Sequence, residues 1–360
     1  MKIAILSMQK IINYGSVLQA YSLKKMLEKV SGEKVFFMDI DEDNKISVDM
    51  PVKDRDDYKA PKRKLGPFEF IKKRVMFLKQ KKQAFPMITK FMEEEFDTPL
   101  DEDYDLVVVG SDEVFKSTDS IRLQLYGDIK NAKTKVTYAA SCGSAVAEGI
   151  PDDKKEIVRR ALENYSKMSV RDKGTHDYIK ALYDGEIVYN LDPVLAGNLY
   201  SIQHKPVDLK NYLIVYAYNN RFNDEKEIAQ IKSFAKKHGL KTVCFGGVLT
   251  WCDKYIAVPP LRLLDYFYYA DYVVTDTFHG TIFSIINRIQ FCSFIRPTNQ
   301  NKLGDLLERM GLSDRLISKG DDLEEKLTQK IDYDRVEKVL DAERKKSLEY
   351  LKECVELAGK

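Results

Sequence analysis

The chain is predicted to be an α/β protein of two domains, each built around a parallel sheet. Apolar runs of strand length alternate with helix-period segments along the sequence, and 360 residues exceed what one hydrophobic core holds comfortably. The alternation lapses once, at Ala196–Leu209, where Gly197, Pro206 and polar residues carry no sustained period, and then restarts. The domains are therefore drawn at 1–200 and 201–360.

In the first domain Lys2–Ser7 reads as a strand, Ser16–Val30 as an amphipathic helix ended by Ser31-Gly32, and Val35–Asp39 as a second strand. Asp41–Gly66 is charged and loop-like, and Pro67–Glu95 has helical period. Strands follow at Asp105–Val109, Val136–Ala140, Met168–Arg171 and Ile187–Leu191, with a helix at Asp152–Asn164. The second domain shows strands at Tyr212–Tyr218, Thr242–Phe245, Tyr272–Thr275 and Gln290–Ile295, and helices at Asp224–Lys237, Leu261–Tyr269, Thr281–Ile286 and Lys302–Met310. The aromatics Tyr266, Phe267, Tyr268 and Tyr269 run consecutively around the second of these helices, which makes core packing the expected role of most. A long amphipathic helix, about Tyr333–Leu357, closes the chain and is expected to lie across one domain or to return toward the other.

Apolar residues at 44% and charged residues at 32% are those of a globular protein. The net charge of +2 offers no global field for nucleic acid, which is excluded as a partner. Charge is instead local: Lys59, Lys62, Arg63, Lys64, Lys72, Lys73, Arg74, Lys79, Lys81 and Lys82 are relieved by Glu69 alone. That run reads first as a solvated helix face and second as a surface for anionic lipid or glycan. The five cysteines are odd in number and lack paired CxxC spacing, which disfavours disulfide and zinc frameworks. The N-terminal apolar run is too short for a signal sequence, and no window of about 18 apolar residues exists. The expected location is the cytoplasm, with at most peripheral contact at the inner membrane surface.

The segment from Tyr272 through Asp276-Thr277-Phe278-His279-Gly280-Thr281 to Ser284 carries the strongest chemical signal. An apolar strand ends there and a helix begins, so His279, Gly280 and Thr281 fall at the carboxyl edge of a parallel sheet, where doubly wound folds bind ligands. The helix start offers unpaired N–H groups to a phosphate or carboxylate, and a histidine there can exchange protons near neutral pH. The plainer alternative is a capped helix with a satisfied histidine. His176, His204 and His238 lie among polar neighbours and read as surface residues.

Asp276-Thr277-Phe278-His279-Gly280-Thr281 resembles the signature of polysaccharide pyruvyl transferases, and five further segments agree in order. They are Asn13-Tyr14-Gly15-Ser16-Val17-Leu18-Gln19-Ala20-Tyr21, Val109-Gly110-Ser111-Asp112 with Val114, Tyr138-Ala139-Ala140-Ser141 with Gly143, Ser169-Val170-Arg171-Asp172, and Leu191-Asp192-Pro193-Val194. The resemblance covers residues 1 to 312 and implies a GT-B-like fold, two Rossmann-like domains facing a cleft. It implies transfer of pyruvate from phosphoenolpyruvate to a hexose in a capsule or exopolysaccharide repeat unit, on a lipid-linked acceptor, giving a cyclic ketal without metal or cofactor. His279 is then the acid that protonates the donor's methylene carbon. Arg171, Arg262, Arg296, Thr277, Gly280 and Thr281 are expected to bind the donor, mainly from the second domain. Asn13, Tyr14, Gly15, Ser111, Asp112 and Ser141 of the first domain are expected to bind the acceptor.

The sequence departs from the family in two places. Thr277 stands where many members carry a donor-clamping arginine, so Arg171, Arg262 or Arg296 must substitute for it. Glu113, Phe115 and Lys116 stand where glutamine, tryptophan and asparagine are common, which points to a different acceptor. Two other readings share this architecture, a nucleotide-sugar glycosyltransferase and a non-catalytic glycan-binding relative.

Overall fold

The computed structural model describes residues 1–48, 63–99, 102–117, 119–297 and 299–360. Lys59, Lys62 and most of the loop expected before Gly66 lie outside them. Fourteen strands are described: β1 (Ile3–Leu6), β2 (Val35–Met38), β3 (Lys45–Ser47), β4 (Tyr104–Asp112), β5 (Ser120–Arg122), β6 (Ala132–Ala140), β7 (Met168–Val170), β8 (Ile187–Tyr189), β9 (Tyr212–Ala217), β10 (Lys241–Gly246), β11 (Lys254–Tyr255), β12 (Tyr272–Thr275), β13 (Gln290–Phe294) and β14 (Leu316–Ile317). The helices are α1 (Tyr14–Ser31), α2 (Pro67–Lys79), α3 (Phe85–Glu95), α4 (Asp152–Leu162), α5 (Lys173–Lys180), α6 (Pro193–Ala196), α7 (Glu225–Lys237), α8 (Pro260–Tyr268), α9 (Phe278–Ile286), α10 (Gln300–Arg309), α11 (Leu323–Thr328) and α12 (Tyr333–Ala358).

Two six-stranded parallel sheets organise the chain, with orders β2-β1-β4-β6-β7-β8 and β11-β10-β9-β12-β13-β14. Renumbered within each sheet, these are 2-1-3-4-5-6 and 3-2-1-4-5-6, both doubly wound orders. The central strands read as nearly unbroken apolar runs, such as the fully buried Ile3–Leu6 and Tyr212–Ala217, because helices cover both faces of a parallel sheet. β3 and β5 form a small antiparallel pair inside a stretch expected to be loop. Three cross-strand pairs are too few to show as a period.

Two helical segments differ in detail from the sequence expectation. The expected helix at Pro67–Glu95 is α2 and α3 joined by a π-helical turn at Gln80–Ala84. The helix expected from Thr281 begins at Phe278, because the Thr277 hydroxyl accepts the Gly280 N–H and caps it. All five cysteines are free and buried.

One apolar core runs through both sheets, joining Ile5, Tyr14 and Leu18 to Tyr216, Leu264 and Phe283. The Tyr14 hydroxyl crosses between the halves to donate to the Val258 carbonyl at 2.8 Å. The closing helix α12 follows the second sheet in sequence but packs beside the first. Tyr350 Oη donates to the Thr137 carbonyl at 2.9 Å, Arg344 Nε to the Leu195 carbonyl at 2.9 Å, and Ser347 Oγ accepts the Leu191 N–H at 3.1 Å. Its buried face, Leu340, Arg344, Ser347, Leu351 and Cys354, repeats at helical spacing. If this docking helps to hold the halves together, Leu340→Ala and Leu351→Ala should each cost about 2–5 kcal/mol. Lys352→Ala on the exposed face should cost less than about 0.5 kcal/mol. Urea midpoints of the three variants measure the difference, and three equal midpoints would make α12 an accessory.

Candidate active site

In a doubly wound sheet the crevice opens where strand order reverses. The first sheet reverses between β1 and β4, the second between β9 and β12. The loops leaving these four strands face one another across a cleft of about 460 Å³. Met8, Ile11 and Asn13 come from the loop after β1, Asp112 and Glu113 from the end of β4, Tyr218 and Arg221 from beyond β9, and Asp276, Thr277, Phe278 and His279 from beyond β12. Ser16, Lys116, Arg171, Asn299 and Lys302 complete the lining.

His279 sits in the first turn of α9, buried at the cleft wall. A Cβ on Gly15 would lie 2.3 Å from its Nδ1, so the imidazole lies flat against the backbone of α1. Its Nε2 is buried without a hydrogen-bond partner and stands 3.7 Å from the Asp192 carboxylate, beyond hydrogen-bond range. The capped helix foreseen as the plainer alternative is real, and its histidine has Asp192 as an ionic neighbour but no hydrogen bond at Nε2.

Asp192 is fully buried and pairs with the Arg171 guanidinium at 2.9 Å. Burial pushes its carboxyl upward, yet His279, Arg171 and the Val194 N–H outweigh burial and hold it below the ordinary range. The Arg171 guanidinium also lies 4.1 Å from the centre of the Phe278 ring. Asp276, at the end of β12 in the second sheet, behaves oppositely. Burial raises its carboxyl despite the Arg296 and Arg221 guanidinium groups, and its Oδ1 has no hydrogen-bond partner. Across the cleft Lys302 donates to Glu113 at 2.7 Å, with Lys116 at 3.6 Å on the other oxygen. The Lys302 ammonium, assisted by Lys116 and Arg171, holds Glu113 at about 2 against its own burial.

Of the residues expected at the site, His279, Thr277, Arg171, Asn13 and Asp112 line this cleft. Asn13 caps α1 by accepting the Ser16 N–H, and Asp112, at a left-handed φ of 74°, accepts the Ser16 hydroxyl at 2.6 Å. The others are placed differently. Arg296 binds Glu227 through both terminal nitrogens at 2.6 and 2.7 Å and Asp276 through Nε at 3.1 Å. Arg262 bonds Asp265 and the Lys205 and Pro206 carbonyls of the connecting segment. His204, expected at the surface, joins this clamp by pairing with Asp265 at 3.1 Å and stacking on Tyr268. Ser111 and Ser141 turn inward to the Ala139 carbonyl and to Asp172. Tyr14 and Thr281 are also bonded into the interior, Thr281 to Ser293 at 2.6 Å. Gly15 and Gly280 are close-packing positions, since a Cβ on Gly280 would lie 2.2 Å from the Thr275 hydroxyl oxygen. Arg221, Lys302 and Tyr218 were not singled out for the site by sequence; Asp276 was noted as part of the motif, and Glu113 and Lys116 as departures from the family.

The sequence profile of the polysaccharide pyruvyl transferase family matches residues 13–296. The chain belongs to that family, a family of transferases. No curated protein is significantly similar to it. Among solved structures it is similar to the glycosyltransferase SnogD from Streptomyces nogalater, with TM-score 0.43, 14% identity and 99% of each chain covered. It is also similar to the UDP-GlcNAc 2-epimerase of Methanocaldococcus jannaschii, with TM-score 0.47, 14% identity, and 94% and 93% of the two chains covered.

The carboxyls beside the cleft should give stability opposite pH dependences. Glu113 is lowered from 4.5 to about 2, so its contribution is complete above pH 4.5 and is lost as pH falls toward 2. Asp276 is raised above 3.8, so the stability it allows at low pH is lost as pH rises through its folded value. Glu113→Gln should therefore flatten the acid side of a plot of urea midpoint against pH. Asp276→Asn should remove the fall in midpoint as pH rises above 3.8, and a parental slope in both variants would refute both assignments.

Proposed function

We propose that the chain transfers pyruvate from phosphoenolpyruvate to a glycan hydroxyl pair, forming a cyclic ketal, with His279 as the proton donor. The observation that carries this reading is the buried Nε2 of His279, which makes no hydrogen bond and has the Asp192 carboxylate 3.7 Å away, in a cleft whose wall also bears Lys116, Arg171, Arg221 and Lys302. Protonating the methylene carbon of an enol phosphate needs an acid aimed at carbon, and a nitrogen committed to a protein hydrogen bond could not serve. A sugar hydroxyl then adds to the resulting oxocarbenium-like carbon. Phosphate departs, and a second hydroxyl closes the ring.

The donor carries a phosphate and a carboxylate close together, which charge-assisted contacts hold best. Thr277 is engaged in capping α9, Arg296 with Glu227, and Arg262 with the connecting segment. Arg296 and Arg262 do not border the cleft, whereas Lys116 and Arg171 from the first half and Arg221 and Lys302 from the second do, and the donor is assigned to these four. This replaces the expected division, donor on residues 201–360 and acceptor on 1–200, with a donor held between the halves. The acceptor hydroxyls are assigned to Asn13, Asp112 and Tyr218. A hexose of a capsule or exopolysaccharide repeat unit on a lipid carrier remains the acceptor proposed.

Phosphoenolpyruvate should raise the melting temperature, whereas UDP should not; the reverse result would favour a nucleotide-sugar enzyme. His279→Gln should lower phosphate release in the presence of acceptor by about 10²–10⁴-fold while the donor-induced shift persists. Arg221→Gln should weaken donor binding by about 1.5–3 kcal/mol, whereas Arg262→Ala should leave it unchanged. Equal binding by these two variants would move the donor elsewhere. Gly15→Ala offers a further check, because its methyl would displace the imidazole: turnover should collapse with donor affinity retained, and parental turnover would show that α1 does not position His279.

A further inference from the structure

α2 is anchored by one face and open on an adjoining one. Lys72 Nζ donates to the Cys252 carbonyl at 2.6 Å, Lys79 Nζ to the Tyr255 carbonyl at 3.1 Å, and Gln80 to the Gly246 carbonyl. Met76 is buried on that same side. An adjoining face, about a quarter-turn around the helix, carries Phe68, Ile71, Val75 and Leu78, spaced at i, i+3, i+7 and i+10 in a single stripe. Phe68 is 79% exposed, Ile71 63%, Val75 60% and Leu78 48%, and Phe70 and Phe77 extend the apolar surface around the helix. Scattered exposed apolar residues need no explanation, but six on one 13-residue helix form a patch that marks an interaction site.

The charge around the stripe indicates its occupant. Residues 63–84 contain eight Lys or Arg and one acid, a local charge of +7 in a chain whose total is +2. Arg74, Lys81 and Lys82 are exposed within or beside the stripe. A polyanionic glycan would use the cations and leave the aromatic and aliphatic side chains in water. A hydrocarbon surface alone would repel the ammonium groups. An anionic lipid surface satisfies both, with apolar side chains entering the acyl boundary and cations meeting headgroup phosphates.

We propose that α2 docks the protein onto anionic membranes, lying in the plane of the interface. Its C-terminal end leads toward the cleft, since Gln80, Ala84 and Phe85 line a small cavity with Ile12, Asn13 and Tyr218, and the last two also border the cleft. A docked α2 would bring the cleft mouth near the surface where a lipid-carried acceptor sits. The docking itself does not depend on the proposed reaction.

The test is cosedimentation of the full chain with phosphatidylcholine vesicles containing or lacking phosphatidylglycerol, which needs no turnover. Binding to the anionic vesicles alone is expected, weakening as salt rises. Lys81→Gln with Lys82→Gln should weaken it by roughly thirty-fold. Ile71→Ser, Val75→Ser and Leu78→Ser together should abolish it with the melting temperature retained, because all three are exposed. Absence of binding, equal binding to neutral vesicles, or full binding by the serine variant would overturn the proposal. So would a parental dimer in sedimentation equilibrium that the serine variant converts to monomer, which would make the stripe a contact between copies.

Discussion

The close approach of α1 and α9, with the backbone at Gly15 lying against the His279 imidazole, sets the separation of the two sheets. That contact is possible because position 15 has no side chain; any Cβ would occupy the space of the ring. The apolar core that continues from Leu18 to Phe283 and the Tyr14–Val258 hydrogen bond hold the two helix starts in register. Both helices follow switch-point strands, so fixing them together also fixes the two crevices face to face. A cleft built between halves joined in this way is preorganised, and little reorganisation is needed to align groups that arrive from opposite sheets.

Electrostatics in the cleft follow from the same packing. Bringing Arg171, Asp192 and His279 together places charges where water is excluded, and each charge is tolerable only because another is present. Asp192 remains ionised at full burial because Arg171 and His279 stand beside it, whereas Asp276, buried with an unpartnered oxygen, is pushed toward its neutral form. Removing one member of a buried ion pair commonly costs about 3–5 kcal/mol. For that reason Arg171 is a poor position at which to read donor binding by substitution, although it borders the cleft. Loss of folding and loss of affinity would be confounded there, as they would not be at Arg221.

Much of this architecture was legible as period. Continuous apolar runs identified the central parallel strands because both faces of such strands are covered, and Asp276–Thr281 was recognisable as a strand-to-helix junction. What escaped the sequence were long-range partners. Arg296 does end the strand beside the motif, as local logic suggested, but Glu227, 69 residues earlier, occupies its guanidinium. Arg262 looked equally available and is bound to carbonyls about 57 residues away. Lys116 was read only as a departure from the family, Lys302 only as the start of a helix, and Arg221 drew no reading. Only the strand order, which is not local information, shows that their loops converge.

The threonine at position 277 shows what a departure from the family pattern does locally. An arginine at a helix start leaves the first-turn N–H groups without a side-chain acceptor, whereas Thr277 accepts the Gly280 N–H at 2.9 Å and shares a hydrogen bond with Thr275. The position has thus exchanged a cation for a cap. Arg171 reaches over from the first sheet, its guanidinium 4.1 Å from the centre of the Phe278 ring one residue further along α9. Arg171 belongs to a segment the chain shares with the family, and Asp192 orients its guanidinium from the first half. Lys116 stands on the same side, at one of the positions where the chain departs from the family. Positive charge beside the start of α9 is therefore supplied by the first half of the chain, while position 277 serves the helix as its cap.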